Sequence, residues 1–162
     1  MFGGKCAYCE SRITHVDYGH IEHFRPKAGP RGRPNLTFEW SNLFLACGVC
    51  NGPGFKGDRF PEADDGGPLV NPCDDEPTDH FRFVFDPKTR IASVDGISPR
   101  GKVTENILGL NRPELRAYRS TQIRKIATIA ILAKTNAEAA ALVEEARGDN
   151  AEYAAFVRSL QL

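Results

Sequence analysis

The fold of this chain is decided by two short stretches of sequence, Cys6-Ala7-Tyr8-Cys9 and Cys47-Gly48-Val49-Cys50. Each stretch places two cysteines three positions apart, and the thiolates of two such tight turns can converge on one tetrahedral metal ion. Four of the five cysteines lie in these pairs, and no secretory leader is evident, which favours a metal site over disulfides. We therefore expect a structural Zn²⁺ bound by Cys6, Cys9, Cys47 and Cys50, with Cys73 as a free thiol.

Length and hydropathy predict one domain, or a compact core with an appendage, outside the membrane. A chain of 162 residues can bury a hydrophobic core. Its longest apolar stretch, residues 126–133, is interrupted by Thr128 and is far shorter than the roughly 20 residues that span a bilayer. No charged and then apolar leader opens the sequence. We therefore expect a cytoplasmic protein without a membrane segment.

The charges are segregated along the chain, although the formal net charge is +0. Residues 1–60 carry eight Lys or Arg against five Asp or Glu, and residues 100–134 carry eight against two. Residues 61–80 carry seven acids and no Lys or Arg. A zero net charge argues against nucleic-acid binding through bulk positive charge. The positive segments are either solvated faces or local phosphate-binding surfaces whose modest affinity a partner would have to supplement.

Residues 1–60 are predicted to form a compact core around the cysteines. Residues 13–24 are expected to form a strand or hairpin, and residues 43–45 a second short strand. Residues 25–34 contain three prolines and two glycines among four basic residues, which predicts a basic loop. A short helix that carries Lys56 is expected after the second cysteine pair.

The rest of the chain is predicted to add a β-hairpin and helices. Residues 80–94 alternate aromatic with other side chains around a turn, which is typical of a hairpin. Helical periodicity follows, with Asn111, Asn136 and Asp149 as candidate caps. The predicted organisation is a zinc-stapled core with a hairpin over residues 1–98, and a helical segment over residues 99–162 that packs on this core or on a partner.

A carboxylate and an imidazole lie side by side at Glu22 and His23, between the two cysteine pairs. Adjacent residues of a strand point to opposite faces, so Glu22 can reach inward to a metal ion while His23 stays off it. A histidine can take a proton from water near neutral pH. An isolated Glu-His pair is more often structural, but the cysteines and the asparagines at 42 and 51 favour a metal-dependent nuclease.

These motif residues resemble the HNH endonucleases, which are built on a zinc-bound ββα-metal (His-Me finger) core. The resemblance lies in Cys6-x2-Cys9, Ile21-Glu22-His23-Phe24-Arg25-Pro26-Lys27, Trp40-Ser41-Asn42-Leu43 and Ala46-Cys47-x2-Cys50-Asn51. A narrower resemblance, to the HNH nucleases of Septu-type and retron-linked anti-phage defence systems, lies in Lys56-Gly57-Asp58-Arg59-Phe60-Pro61, Asn71-Pro72, His80-Phe81 and Leu108-Gly109-Leu110-Asn111-Arg112. The resemblance implies an α+β fold with a treble-clef-like HNH core, an added β-hairpin and a C-terminal helical segment.

The resemblance also implies a role for each motif residue. His23 corresponds to the general base, and Glu22 to a metal-binding acid. Asn42 corresponds to the asparagine that steadies the base, and Asn51 to the final metal ligand. The catalytic ion is expected to be Mg²⁺ or Mn²⁺, because hard cations of this kind prefer oxygen ligands.

Several cations and histidines near the motif have open roles. The candidate phosphate contacts are Arg25, Lys27, Lys56 and Arg59. In the helical segment, arginines spaced by four and three form either a phosphate-facing stripe or a partner surface: Arg112, Arg116 and Arg119. His20 is either a further metal ligand or a hydrogen-bonding residue, and His80 is expected to be structural or to support the site.

Together the sequence and the resemblance predict a metal-dependent endonuclease that cleaves DNA. The resemblance implies that it is the effector of an anti-phage defence complex, with an ATPase or another subunit as its partner. Two alternatives stay open: the substrate is RNA, or the zinc-bound core binds nucleic acid or protein without catalysis. An intact Glu22-His23 pair with both asparagines argues against the non-catalytic alternative.

Overall fold

The computed structural model describes residues 2–160. The strands are β1 (His20–His23), β2 (Leu43–Ala46), β3 (Phe81–Asp86) and β4 (Ile91–Gly96). The α-helices are α1 (Pro77–His80), α2 (Pro99–Leu108), α3 (Pro113–Ala133), α4 (Ala137–Arg147) and α5 (Ala154–Ser159). Single 3₁₀ turns cover Phe2–Gly4, Pro34–Leu36, Trp40–Asn42 and Ala63–Asp65. The α+β class predicted from the sequence is confirmed. No helix within residues 2–160 has the length and apolar character needed to cross a membrane.

β1 and β2 form a small antiparallel hairpin in which His23 lies opposite Leu43. Glu22 and Phe44 are buried on its inner side, whereas Ile21 is exposed on the other. The first cysteine turn joins this hairpin because Ala7 N donates to Leu45 O at 2.8 Å. The strand expected over residues 13–24 is shorter than predicted, since Gly19 adopts a φ of 71° that ends the extended backbone.

Turns follow the second cysteine pair, so the expected short helix around Lys56 is wrong. Residues 51–58 form successive turns and bends. Pro53 has no N–H to donate, and Gly57 adopts a φ of 45°, so a continuous helical ladder cannot form. The turns close through backbone bonds from Asn51 N to Cys47 O at 3.0 Å and from Lys56 N to Cys50 O at 3.1 Å.

β3 and β4 form the predicted hairpin, and α3 packs on it through a buried arginine. Arg119 donates to Ala92 O from Nε at 3.1 Å and from Nη2 at 2.8 Å. The side chain of Asn111 donates to Val94 O at 2.9 Å and accepts from Val94 N at 3.0 Å. Two expectations are therefore corrected: Arg119 is not part of an exposed stripe, and Asn111 is bound to β4 while Arg112 takes the N-cap position of α3.

Of the two other predicted helix caps, at Asn136 and Asp149, one is confirmed and the other is wrong. Asn136 caps α4 as predicted, because its side chain accepts from Ala139 N at 2.9 Å. The cap predicted at Asp149 is wrong, since α5 begins after Tyr153, which has a φ of 55°. The C-terminal segment contacts the chain just after the first cysteine turn, because the hydroxyls of Tyr153 and Ser11 lie 2.8 Å apart. The division into residues 1–98 and 99–162 stays a prediction.

Candidate metal centre and active site

The four paired cysteines lie together, as the sequence predicts. The ligand atoms of Cys6, Cys9, Cys47 and Cys50 all lie within 4.8 Å of one another. Three of these residues are buried, and none forms a disulfide. Hydrogen bonding to Cys47, reinforced by burial, raises the pKa of the Cys6 thiol well above its ordinary value. Four cysteines in this arrangement can hold a metal ion, whose positive charge would favour the thiolate form.

His23 is the last residue of β1, and one of its ring nitrogens is hydrogen-bonded to the backbone. Its Nε2 lies 3.0 Å from the carbonyl oxygen of Thr37. A carbonyl only accepts hydrogen bonds, so the neutral ring carries its proton on Nε2 and leaves a lone pair on Nδ1. Among residues 2–160 no hydrogen bond to Nδ1 is present, and the side chain is half-buried. The ring is thus oriented with a proton acceptor available to a water molecule.

Asn42 closes the loop between β1 and β2 and is buried. Its Oδ1 accepts from Arg25 N at 2.7 Å, and its Nδ2 donates to Arg25 O at 3.0 Å and to Leu36 O at 3.2 Å. Leu36 precedes Thr37, the residue whose carbonyl binds the ring of His23. Among residues 2–160, Asn42 forms no hydrogen bond to the imidazole, and its bonds hold the backbone next to Thr37.

Glu22 forms a buried ion pair with Lys56. The Lys56 side chain is 0% exposed and that of Glu22 is 4% exposed, and the ammonium contacts Glu22 Oε1 directly. Lys56 Nζ also donates to His23 O at 3.0 Å. Burial raises the pKa of Glu22 and lowers that of Lys56, and in each case the partner's charge opposes the shift. The expectation that Lys56 contacts phosphate is therefore corrected, because its ammonium is buried and paired with the Glu22 carboxylate.

Asn51 lies beside His20 and makes no hydrogen bond to Glu22. Its Nδ2 lies 3.2 Å from Nδ1 of His20, which is exposed at the start of β1. The structure thus brings together Glu22 with Lys56 and Asn51 with His20. His80 lies elsewhere, with its Nδ1 2.8 Å from Ser98 Oγ at the start of α2, a position that suits a structural histidine.

Residues 6–53 match the family model for HNH endonuclease. The chain carries an HNH endonuclease domain. The matched range begins at the first ligand of the cysteine cluster and ends just beyond Asn51, so it contains β1, β2 and both cysteine pairs. The resemblance drawn from the motif residues is confirmed.

Three curated relatives are similar to this chain. Septu protein PtuB of Bacillus mycoides (strain KBAB4) is 33% identical over 149 residues, covering 78% of this chain and 49% of the relative. Septu protein PtuB of Bacillus thuringiensis is 34% identical over 119 residues, covering 73% and 41%. A Vibrio cholerae (serotype O1 biovar El Tor) protein, whose name refers to retron Vc95 and to an HNH endonuclease, is 30% identical over 150 residues, covering 83% and 65%. The chain spans about half the length of the Septu relatives. No solved structure matches it significantly.

The remaining predicted phosphate contacts differ in their ion pairing. Arg25 lies 3.6 Å from Glu62, and its guanidinium lies 4.5 Å from the centre of the Phe60 ring. Lys27 and Arg59 are exposed and form no salt bridge among residues 2–160. The phosphate-binding roles of Arg25, Lys27 and Arg59 stay predictions.

Arg112 supports the cysteine cluster, a role that was not predicted from the sequence. Its Nη2 lies 3.5 Å from Cys50 Sγ, and its guanidinium lies 5.0 Å from the centre of the Phe55 ring. Nη1 donates to Leu108 O at 3.0 Å, which fixes the side chain against α2. The positive charge therefore lies beside Cys50 of the cysteine cluster. Its position 62 residues after Cys50 gives no local signal in the sequence.

Replacing Asn42 by alanine is expected to lower the free energy of unfolding by about 1–3 kcal/mol, because buried backbone groups lose their partners. Denaturant unfolding of the metal-loaded protein measures this. Asn35→Ala is the matched control, since Asn35 is exposed and should change stability by less than about 0.5 kcal/mol. Equal stability of the two variants would contradict the bridging role of Asn42.

Proposed function

We propose that this chain is a metal-dependent endonuclease that hydrolyses phosphodiester bonds of DNA, with His23 as its general base. One observation carries the proposal: within an HNH domain, the ring of His23 is held through Nε2 to the Thr37 carbonyl and keeps Nδ1 for a proton.

In the proposed reaction, His23 Nδ1 takes a proton from a water molecule as the oxygen attacks phosphorus. The new P–O bond forms as the bond from phosphorus to the 3′ oxygen breaks, and the departing 3′ oxygen takes a proton from solvent. The products are a 5′-phosphate and a 3′-hydroxyl end. The Thr37 carbonyl stabilises the protonated ring by continuing to accept from Nε2, 3.0 Å away. Asn42 keeps this acceptor in place through the loop backbone.

The donors proposed for a catalytic cation are Glu22 and Asn51. A carboxylate and an amide oxygen are suitable ligands for Mg²⁺ or Mn²⁺. The Glu22 carboxylate already binds one cation, the Lys56 ammonium, which also donates to His23 O and Gly57 O, so a metal ion at Glu22 would compete with this ammonium. Both protein contacts of the carboxylate use Oε1, so Oε2 remains as a donor. A bound cation would offset the charge that develops on the phosphate oxygens.

The test is cleavage of supercoiled plasmid by the zinc-loaded protein, with and without added Mg²⁺ or Mn²⁺. We expect nicked and linear products only when the divalent ion is added. Omitting the ion is a better control than a chelator, because a chelator would also strip the cysteine site. Cleavage of a structured RNA but not of plasmid would favour an RNA substrate. Binding of DNA without cleavage of either would favour the non-catalytic alternative.

The proposed context is an anti-phage defence complex in the cytoplasm. Two relatives are Septu proteins and a third is named for a retron, and each is similar over most of this chain. Zn²⁺ is the ion proposed for the cysteine site, because four thiolates in a closed tetrahedron are its preferred structural environment. A second subunit, such as an ATPase, is proposed to supply the sensing step and the DNA affinity that a net charge of +0 does not provide.

A further inference from the structure

The loop that joins β1 to β2, residues 24–42, exposes two large aromatic side chains. Phe38 is 92% exposed and Trp40 is 71% exposed. Single exposed apolar residues are ordinary on a protein surface, but these two lie within three positions of each other in one loop. Two exposed rings in one loop therefore indicate a binding surface.

The same loop carries four basic residues, two of which form no salt bridge among residues 2–160. Residues 24–42 contain Arg25, Lys27, Arg31 and Arg33 against a single acid, Glu39. Arg31 pairs with Asp65 at 2.7 Å, and Arg25 lies near Glu62. Within the described residues 2–160, Lys27 and Arg33 are exposed and form no salt bridge. The loop thus carries exposed aromatic rings and unpaired cations, with Glu39 between the two aromatic residues. This composition suits a polyanion with flat apolar groups better than an apolar protein face.

The aromatic side chains are held close to the proposed base by the backbone. Phe38 directly follows Thr37, whose carbonyl accepts from the ring of His23 at 3.0 Å. Trp40 begins the 3₁₀ turn that runs into β2, where Leu43 pairs with His23. The ends of the loop are joined because Phe24 N donates to Asn42 O at 2.9 Å. The residues that bear these rings therefore belong to the loop segment that binds the imidazole of His23.

We propose that residues 24–42 bind single-stranded nucleic acid, with bases stacked on Phe38 and Trp40 and phosphates on Lys27 and Arg33. Exposed aromatic rings interleaved with cations are the means by which proteins bind unpaired strands, since every base offers a flat face. The bases of an intact duplex are stacked on each other and cannot use these rings. The inference rests on the proposed function and deepens it: the substrate of the HNH site is an unpaired strand or an unpaired segment of a duplex.

The experiment uses the fluorescence of Trp40, the one tryptophan of the chain. The His23→Ala protein, zinc-loaded and without Mg²⁺ or Mn²⁺, is titrated with an oligothymidylate of about 12 nucleotides and with a blunt duplex of equal length. We expect saturable quenching by the single strand, and binding at least about fivefold weaker for the duplex. Because binding is measured without cleavage, the result does not depend on whether the protein is a nuclease.

The matched variants are Phe38→Ala and Ile131→Ala, each of which removes one exposed apolar side chain, the second on α3 far along the chain. Loss of one stacked base weakens binding about fivefold or more, so we expect this for Phe38→Ala and no change for Ile131→Ala. Equal affinity for duplex and single strand, or an unchanged Phe38→Ala variant, would overturn the proposal. No response to either oligonucleotide would do the same and would leave a protein partner as the occupant. Tight single-strand binding by a protein that cleaves nothing would overturn only the nuclease function.

Discussion

Replacing Cys50 by serine is expected to unfold the metal-bound core and to lower the bound metal from one ion per chain to none. Cys50 is 0% exposed and belongs to the cluster whose ligand atoms lie within 4.8 Å of one another. Structural Zn²⁺ contributes about 10–16 kcal/mol in small zinc domains, which equals or exceeds the roughly 5–15 kcal/mol of net stability of a folded protein. The turns that lead to Lys56 are bonded to Cys47 O and Cys50 O, and β2 is bonded to the first cysteine turn through Leu45 O, so both lose their anchor with the metal.

Cys73→Ser is the matched control, because Cys73 is exposed and lies outside the cluster. We expect this variant to keep one ion and the circular dichroism of the parent protein. The measurements are metal content by atomic spectroscopy and thermal unfolding followed by circular dichroism. A Cys50→Ser protein that unfolds at the temperature of the parent would show that the cysteines do not stabilise the core.

The parts of the site that could be predicted from the sequence are those set by local spacing. Two pairs of cysteines, each three positions apart, indicate a metal site, and an Asn at 136 before a helical pattern indicates a cap. The orientation of His23 relative to Glu22 also follows from strand alternation. In each case the physical cause lies within a few residues of the feature.

The burial of charge could not be predicted, because it depends on partners distant in sequence. Lys56 and Arg119 look like surface cations in the sequence, yet both are buried. Lys56 is 34 positions from the carboxylate that neutralises it, and Arg119 binds the carbonyl of Ala92 on another element. A buried charge is stable only with its partner, so its location is a property of the tertiary fold. The pairing of Asn51 with His20 was missed for the same reason.

The metal centre and the proposed base are linked through the small hairpin. The first cysteine turn is bonded to Leu45 of β2, and β2 pairs through Leu43 with His23. On the other side, Lys56 follows the second cysteine turn and donates to His23 O at 3.0 Å. Loss of the metal should therefore disturb the imidazole even though no cysteine touches it.

The second large effect is expected from His23→Ala, which should lower the rate of metal-dependent plasmid cleavage by about 10²–10⁴-fold, the contribution of a general base. Among residues 2–160 the half-buried ring makes one hydrogen bond, to Thr37 O, so its removal should leave the fold and the bound metal intact. The measurement is the single-turnover cleavage rate with Mg²⁺, alongside metal content and thermal unfolding. A loss of rate with unchanged stability separates a catalytic role from a structural one.

His15→Ala is the matched control, since His15 is exposed and makes no hydrogen bond among residues 2–160. It should cleave at the rate of the parent protein. Thr37 cannot supply an equivalent test by side-chain substitution, because its main-chain carbonyl is the group that binds the ring. If the His23→Ala protein is folded, metal-loaded and as active as the His15→Ala protein, then His23 is not the base and the proton must go to another group, with the exposed imidazole of His20 beside Asn51 as the next candidate.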